Sequence, residues 1–290
     1  DPTDGVLLGQ LCYSNKGTVL FGTSTFLRLY ARNKKLHPDM LSSIRIAVAG
    51  AEKLSDDVRH AFKEKFGLTI YEGYGTTETT PVASVNIPDM LIPESWNVQV
   101  GGKIGSVGLP LPGSTFMIVD PNTLAPLPVG EEGLILIGGT QIMKGYLNDP
   151  QKTKDAIVEM DGIRWYLSGD KGKLDDDGFL TIVDRYSRFA KIGGEMVSLT
   201  SVEMTISSLF SDNFECVAVN LPDEKKGEII VLLYASDMPV DNLKTSILDS
   251  DLTALMTPSH YFKVDDIPKL GTGKLDFSGA KAIAKGLIGN

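Results

Sequence analysis

Four segments of this 290-residue chain carry residue types suited to work on a nucleotide: Tyr74-Gly-Thr-Thr-Glu78, Tyr166-Leu-Ser-Gly-Asp170, Asp184-Arg185 and Pro268-Lys-Leu-Gly-Thr-Gly-Lys274. Tyr74 offers a flat face for a base and Thr77 a hydroxyl for a phosphate oxygen. Glu78 offers a carboxylate to magnesium, an ion that takes one or two carboxylates and completes its shell on substrate phosphates. Asp170 follows a glycine at a strand end, where a carboxylate can accept two hydroxyl protons at once, as ribose presents them. Arg185 brings a planar fork suited to phosphate or ribose oxygens. Lys274 rides a Gly-rich loop that can carry a long cation into a cleft at small steric cost. One ammonium reaching both a carboxylate and an α-phosphate would hold the reactants together and offset transition-state charge. Together these are the parts needed to make an acyl-adenylate.

Each residue also has a plainer reading taken alone. Glu78 can be an acidic turn residue, Asp170 a hairpin aspartate, Arg185 a surface ion pair and Lys274 a solvated lysine. The run Asp175-Asp-Asp-Gly178 reads as a solvated turn and not a metal site. His37, His60 and His260 are scattered and read as structural or surface residues. Cys12 and Cys216 lack metal-ligand spacing, give no disulfide framework, and read as small core hydrophobes.

The elements that must position these residues follow from periodicity. Residues 17 to 35 have a helical pattern (Val19, Leu20, Thr23, Phe26, Leu27, Tyr30). Ile44 to Ala49 reads as a strand, Glu52 to Phe66 as a helix closed by Gly67, and Leu68 to Glu72 as a strand. That order implies a parallel α/β layer. From Gly101 onward, short apolar runs broken by Gly and Pro (Phe116 to Val119, Gly133 to Ile137, Arg164 to Leu167, Phe179 to Val183) predict a small antiparallel sheet or barrel. After a polar joint at 185 to 187, strands are expected within Lys191 to Val197, Cys216 to Asn220 and Ile229 to Ala235. Helices are expected at Leu199 to Leu209, Asn242 to Met256 and Phe277 to Leu287.

Composition sets outer limits. With 42% hydrophobic residues the chain can bury a sizeable core. Lys plus Arg is 28 against 37 Asp plus Glu, a net charge of -9, so the overall balance gives no nucleic-acid footprint. No apolar run approaches the roughly 20 residues a membrane helix needs. The sparse cysteines fit a reducing cytoplasmic setting.

The four segments, in this order, resemble the adenylate-forming superfamily of acyl-CoA synthetases, luciferases and peptide-synthetase adenylation domains. Gly133-Leu-Ile-Leu-Ile-Gly, Gly145-Tyr-Leu and Ile192-Gly-Gly-Glu-Met-Val-Ser-Leu with Val202-Glu203 extend the likeness. More narrowly, Val48-Ala-Gly-Ala-Glu-Lys53 and Arg188-Phe-Ala-Lys-Ile-Gly-Gly-Glu-Met-Val-Ser-Leu199 are similar to bacterial acyl-acyl-carrier-protein synthetases, some of which are fused to a 2-acylglycerophosphoethanolamine acyltransferase. The resemblance implies an acyl-CoA synthetase-like fold. Residues 1–100 would be part of an α/β large domain, 101–184 a small β-barrel subdomain, 185–187 a hinge, and 188–290 a mobile α+β C-terminal domain. It also implies an ATP-dependent fatty acid ligase working through AMP and Mg2+, with acyl carrier protein as thiol partner and coenzyme A as the alternative. By position, Tyr74 would stack on adenine, Gly75 and Thr76 would line the nucleotide, Thr77 would meet the α-phosphate and Glu78 the magnesium. Asp170 would hold ribose with Arg185 assisting, Lys274 would be the catalytic cation, and Gly50, Ala51 and Glu52 would line the adenine and acyl pockets. Gly193 and Gly194 would border the pantetheine tunnel, and Arg185, Arg188 and Lys191 would form a basic dock for an acidic carrier.

Three departures from the family pattern matter. The Ser/Thr/Gly-rich phosphate loop is absent together with much of the first α/β subdomain, so the chain alone is expected to be inactive. The usual Asp or Lys of the hinge is Ser187, and the usual glycine before the arginine is Asp184. The start at Asp1-Pro2 suggests missing upstream sequence, and any membrane contact, at the inner face of a bacterial inner membrane, would come through such a domain. A non-catalytic remnant that binds nucleotide or a partner protein is the other reading.

Overall fold

The computed structural model describes residues 1–210, 214–270 and 275–289. It divides into two compact units, residues 1–183 and 184–290.

The first unit opens with α1 (Gly5–Asn15), β1 (Val19–Gly22), α2 (Ser24–Arg32), β2 (Ile46–Ala49), α3 (Asp56–Phe66) and β3 (Ile70–Tyr74). Strands β1, β2 and β3 are parallel neighbours, and of these the strand–helix–strand pattern predicts the β2–β3 pair. The helix expected across residues 17 to 35 is corrected: Val19–Gly22 is an edge strand, and the helix begins only after it. Thr23 explains the break, because its side chain accepts from Phe26 N at 3.3 Å and caps α2. The helix α1 was missed because it carries Gly5 and Gly9 among apolar residues and so shows no single apolar stripe. Leu27, Tyr30, Ala47, Val58, Phe62 and Ile70 close the core between these helices and strands.

After β3 come β4 (Ser84–Val85), a ribbon of β5 (Met90–Ile92) and β6 (Asn97–Gln99), and β7 (Leu109–Pro110); β4 and β7 extend the first sheet antiparallel. A second, antiparallel sheet follows: β8 (Ser114–Val119), β9 (Gly133–Gly139), β10 (Ile157–Met160), β11 (Ile163–Leu174) and β12 (Leu180–Arg185), in the order β10-β11-β9-β8 with β12 also on β11. The short α4 (Pro150–Ala156) precedes β10. The β9–β11 register shifts between Leu167 and Lys171, so Asp170 sits at an irregularity of the ladder, where side chains can be re-aimed.

The second unit contains β13 (Phe189–Ile192), β14 (Glu195–Ser198), α5 (Leu199–Ser208), β15 (Glu215–Asp223), β16 (Gly227–Ala235), α6 (Val240–Leu248), β17 (His260–Lys263) and α7 (Phe277–Ile288). Ile230, Leu232 and Tyr234 of β16 join one core with α5 and α6, whereas Ile229, Val231 and Leu233 join another with Ala280 and Ala284 of α7. Period-two alternation with both faces covered explains why this strand reads as one continuous apolar run. The helix expected to Met256 stops at Leu248. Among the described residues, no helix is long and apolar enough to cross a membrane.

Candidate functional site

The end of β3 delivers the first candidate segment. A side chain at Gly75 would place its Cβ 2.1 Å from the Pro81 carbonyl oxygen, so only glycine lets the chain double back here. The short 3-10 turn Thr77–Thr79 that follows holds Glu78. Two bonds pin this turn to the loop after β9: Met143 N donates to the Glu78 carbonyl at 2.9 Å, and Thr80 Oγ1 donates to the Gln141 carbonyl at 2.8 Å.

Three tyrosines organise the carboxylates. The Tyr74 hydroxyl donates to Asp170 Oδ2 at 2.5 Å, and the Tyr146 hydroxyl donates to Glu78 Oε1 at 2.6 Å. Tyr166 lies beside Thr76, Glu78 and Asp170. Residues 96 positions apart are thus joined, and the Gly-Thr-Thr-Glu turn and the Ser-Gly-Asp strand end share one neighbourhood of the first unit. Asp170 is buried, at 2% exposure. Burial, then the Asp170 charge, pushes the Tyr74 hydroxyl far above its ordinary value, so it stays a donor. Burial opposes ionisation of Glu78, but hydrogen bonds from the Tyr146 hydroxyl and from Glu78's own backbone N–H outweigh it. They hold the carboxyl below its usual range. Thr76 Oγ1 is buried and completes no hydrogen bond of ordinary geometry, although it faces Glu78 and Tyr166.

This donor set accommodates a magnesium ion of one kind only. Among the described residues there is no cluster of three or more His, Cys, Asp or Glu to build an all-protein cage. A single ionised carboxylate beside an unsatisfied hydroxyl suits an ion held chiefly through phosphate oxygens. Asp175 and Asp177 are engaged otherwise: Lys103 Nζ lies 2.6 and 2.7 Å from their carboxylates in the turn before β12.

Gly50, Ala51 and Glu52 follow β2. The Glu52 carboxylate accepts from Thr25 N at 2.6 Å, at the N-terminus of α2, where a negative charge is favoured. Ala51 holds a φ of 71°, an unusual conformation for a residue with a Cβ. Thr77 is exposed.

Arg185, Gly193 and Gly194 belong to the second unit. Arg185 is exposed. Gly193 and Gly194, with φ of 59° and 93°, make the two-residue turn of the β13–β14 hairpin, a geometry that favours glycine at both positions. Asp184, where the family pattern has glycine, is a structural hub: it accepts from the Ser198 hydroxyl, from Thr200 Oγ1 at 3.0 Å and from Arg185 N at 2.7 Å. Lys274 lies outside the described residues.

The dock expected on Arg185, Arg188 and Lys191 loses its middle member. Arg188 is 5% exposed, pairs with Glu203 at 2.6 Å, donates to the Ala218 carbonyl at 2.8 Å and stacks 3.9 Å over the Phe277 ring. A cation committed in this way cannot greet a carrier. The sequence reasoning also passed over Tyr146 and Tyr166 as site residues. The Gly145-Tyr-Leu segment was a visible signal for the first, but its partner lies 68 residues away.

The family model described as AMP-binding enzyme matches residues 2–147, half of the chain. A 4-coumarate–CoA ligase 3 of Oryza sativa subsp. japonica is 32% identical over 250 residues, covering 84% of this chain and 43% of its own length. A long-chain-fatty-acid–CoA ligase of Salmonella typhimurium is 29% identical over 277 residues, covering 94% and 46%. The chain thus spans less than half the length of either ligase. An ATP-bound RpMatB-BxBclM chimera superposes with a TM-score of 0.79 at 25% identity, over 99% of this chain and 54% of the chimera. The fold is therefore acyl-CoA synthetase-like. Its turn of threonines and glutamate, its buried aspartate and its matched sequence all lead to one assignment: the chain belongs to the AMP-binding enzyme family, the adenylate-forming enzymes.

Proposed function

We propose that the protein is an ATP-dependent fatty acid ligase that forms an acyl-adenylate and passes the acyl group to a pantetheine thiol. The observation that carries this reading is the Tyr74–Asp170 hydrogen bond, which joins the segment that holds Glu78 to the strand end that holds Asp170. It gives the first unit a hard oxygen ligand and a hydroxyl acceptor in one neighbourhood. A fatty-acid carboxylate oxygen attacks the α-phosphorus of ATP and pyrophosphate leaves. The thiol sulfur then attacks the acyl carbonyl and AMP departs with the electron pair.

In this scheme Tyr74 packs against adenine, Gly75, Thr76 and Thr77 approach the phosphates, and Asp170 accepts from the ribose hydroxyls, with Arg185 assisting as a donor. Glu78 holds magnesium, which, when bound, neutralises charge on the phosphate oxygens. Lys274 supplies the catalytic cation. Gly50, Ala51 and Glu52 shape the acid and base pockets, and Gly193 and Gly194 border the thiol. Residues 101–184 act as the β-barrel subdomain and residues 188–290 as a mobile domain turning at 185–187.

Coenzyme A is the acceptor that the names of the plant and Salmonella relatives support. Acyl carrier protein is the second reading, favoured by the Arg188 to Leu199 segment. The test is fatty-acid-dependent ATP–pyrophosphate exchange by the full-length protein beside its Lys274→Ala variant, followed by single turnovers with each thiol. Exchange in the parent and none in the variant is expected. A parent that exchanges with no acid, short or long, overturns the ligase reading in favour of a nucleotide-binding remnant.

A further inference from the structure

We infer that Tyr146 is a positioning residue for the metal-binding carboxylate, fixing Glu78 through one oxygen so that it can meet a cation carried by a nucleotide. This inference rests on the adenylation reading above.

The arrangement is directional. The Tyr146 hydroxyl donates to Glu78 Oε1 at 2.6 Å, and Met143, three residues earlier on the same loop, donates its N–H to the Glu78 carbonyl at 2.9 Å. One loop therefore grips both the backbone and the side chain of Glu78. Among the described residues Glu78 has no ion-pair partner, so its negative charge is oriented and not neutralised.

Tyr146 is itself held at its backbone and its ring. Its N–H donates to Thr153 Oγ1 at 2.8 Å, and that hydroxyl donates onward to the Asp149 carbonyl at 2.9 Å. Asp149 caps α4 by accepting from Lys152 N at 2.9 Å, and Lys152 Nζ lies 4.3 Å from the centre of the Tyr146 ring. Gly145 permits this closeness, because a Cβ there would come within 2.8 Å of Thr153 Cγ2. A side chain anchored in this way has little freedom left, so its hydroxyl presents one donor at one place. The donor is also neutral, which leaves the carboxylate its charge; a lysine or arginine here would cancel the charge that the cation needs. Partners that orient a metal-binding carboxylate in this way are typically worth about 10–100-fold in metal affinity.

The experiment uses the full-length protein and its Tyr146→Phe variant, which keeps the ring, the Lys152 contact and the backbone bond to Thr153. Mn2+ binding is read by water-proton relaxation at saturating ATP, and the Mg2+ dependence of pyrophosphate exchange is measured in parallel. For Tyr146→Phe the expected results are a Kd for Mn2+ weakened by about 10–100-fold, an equal rise in the Mg2+ requirement, and kcat at saturating Mg2+ within about two-fold of the parent. A residue that merely tethers two loops would lower the thermal midpoint and leave the metal dependence alone. A parent that binds Mn2+ with ATP and a variant that binds it equally well overturn the role of Tyr146 while leaving the ligase reading intact. A parent with no ATP-dependent Mn2+ binding overturns both.

Discussion

Glu78 is half-buried and Glu203 more deeply so, and the two units of the molecule treat them in opposite ways. Glu203 faces the Arg188 guanidinium at 2.6 Å and accepts from Ala218 N at 2.6 Å, with Arg188 also bound to the Ala218 carbonyl and stacked on Phe277. Its charge is consumed inside the unit, where it ties the turn before β13 to α5, β15 and α7. Burial nevertheless pushes its carboxyl upward more strongly than Arg188 pulls it down. Glu78 is held by a neutral hydroxyl and by backbone, which fix its direction, and among the described residues no cation pairs with it. A carboxylate paired with a cation is architecture, whereas one aimed by a hydroxyl is available for chemistry.

The largest expected effect lies on the architectural side. Removing one partner of a buried ion pair typically costs about 3–5 kcal/mol, because the other charge is left without compensation. Arg188→Ala should lose that much in urea unfolding of the second unit, and the double change Arg188→Met with Glu203→Leu should recover most of it. Equal losses in the single and double variants would break the distinction between the two sites.

Next comes Tyr74→Phe. Asp170 is buried, so losing the 2.5 Å donor leaves a buried carboxylate short of one bond, at a cost of about 1–3 kcal/mol. Denaturant titration of the first unit reads this directly, and a variant as stable as the parent would mean that water or another donor takes the hydroxyl's place.

Acid should separate the two regions further. Glu78 has a lowered folded value, so its stabilisation is present above its unfolded value and is lost as pH falls through the folded one. Glu203 has a raised folded value, so its ionisation costs stability as pH rises from the unfolded value to the folded one, and acidification removes that cost. Below pH about 4, the ordinary carboxylate range, the Met143 amide should lose hydrogen-exchange protection before the Ala218 amide does. Simultaneous loss would show that one global event dominates both.

The smallest effect on stability is expected at the proposed chemical site. Glu78→Gln removes a charge with no internal partner among the described residues, and the amide oxygen can still accept from Tyr146. Its cost should stay within about 1 kcal/mol, while ATP-dependent Mn2+ binding falls sharply. A large loss of thermal stability in this variant would move Glu78 to the architectural class.

The parallel pairing of β2 and β3 was legible in the alternation of strand and helix patterns, because an amphipathic helix between two apolar strands has few other ways to bury its face. The helix cap at Gly67 was legible for a similar local reason: positive φ, at 70°, favours glycine. The boundary between β1 and α2 was not, since Val19 and Leu20 fit a helical stripe as well as an edge strand and only the pairing with β2 decides between them.

The same division holds at the site. Tyr74, Glu78 and Asp170 were marked by residue type together with the order of four segments and their family resemblance, since each taken alone also reads as an ordinary turn or surface residue. Which carboxylate keeps its charge for a ligand is a property of its neighbours in space. The partners of Glu78 and Asp170 lie 68 and 96 residues away, and Arg188 is withdrawn into a core by Glu203 and Phe277. Sequence determined which groups are present and where the backbone can turn. Tertiary packing decided which of their charges are cancelled, because the energy of a charge depends on what surrounds it at a few ångströms and not on what precedes it along the chain.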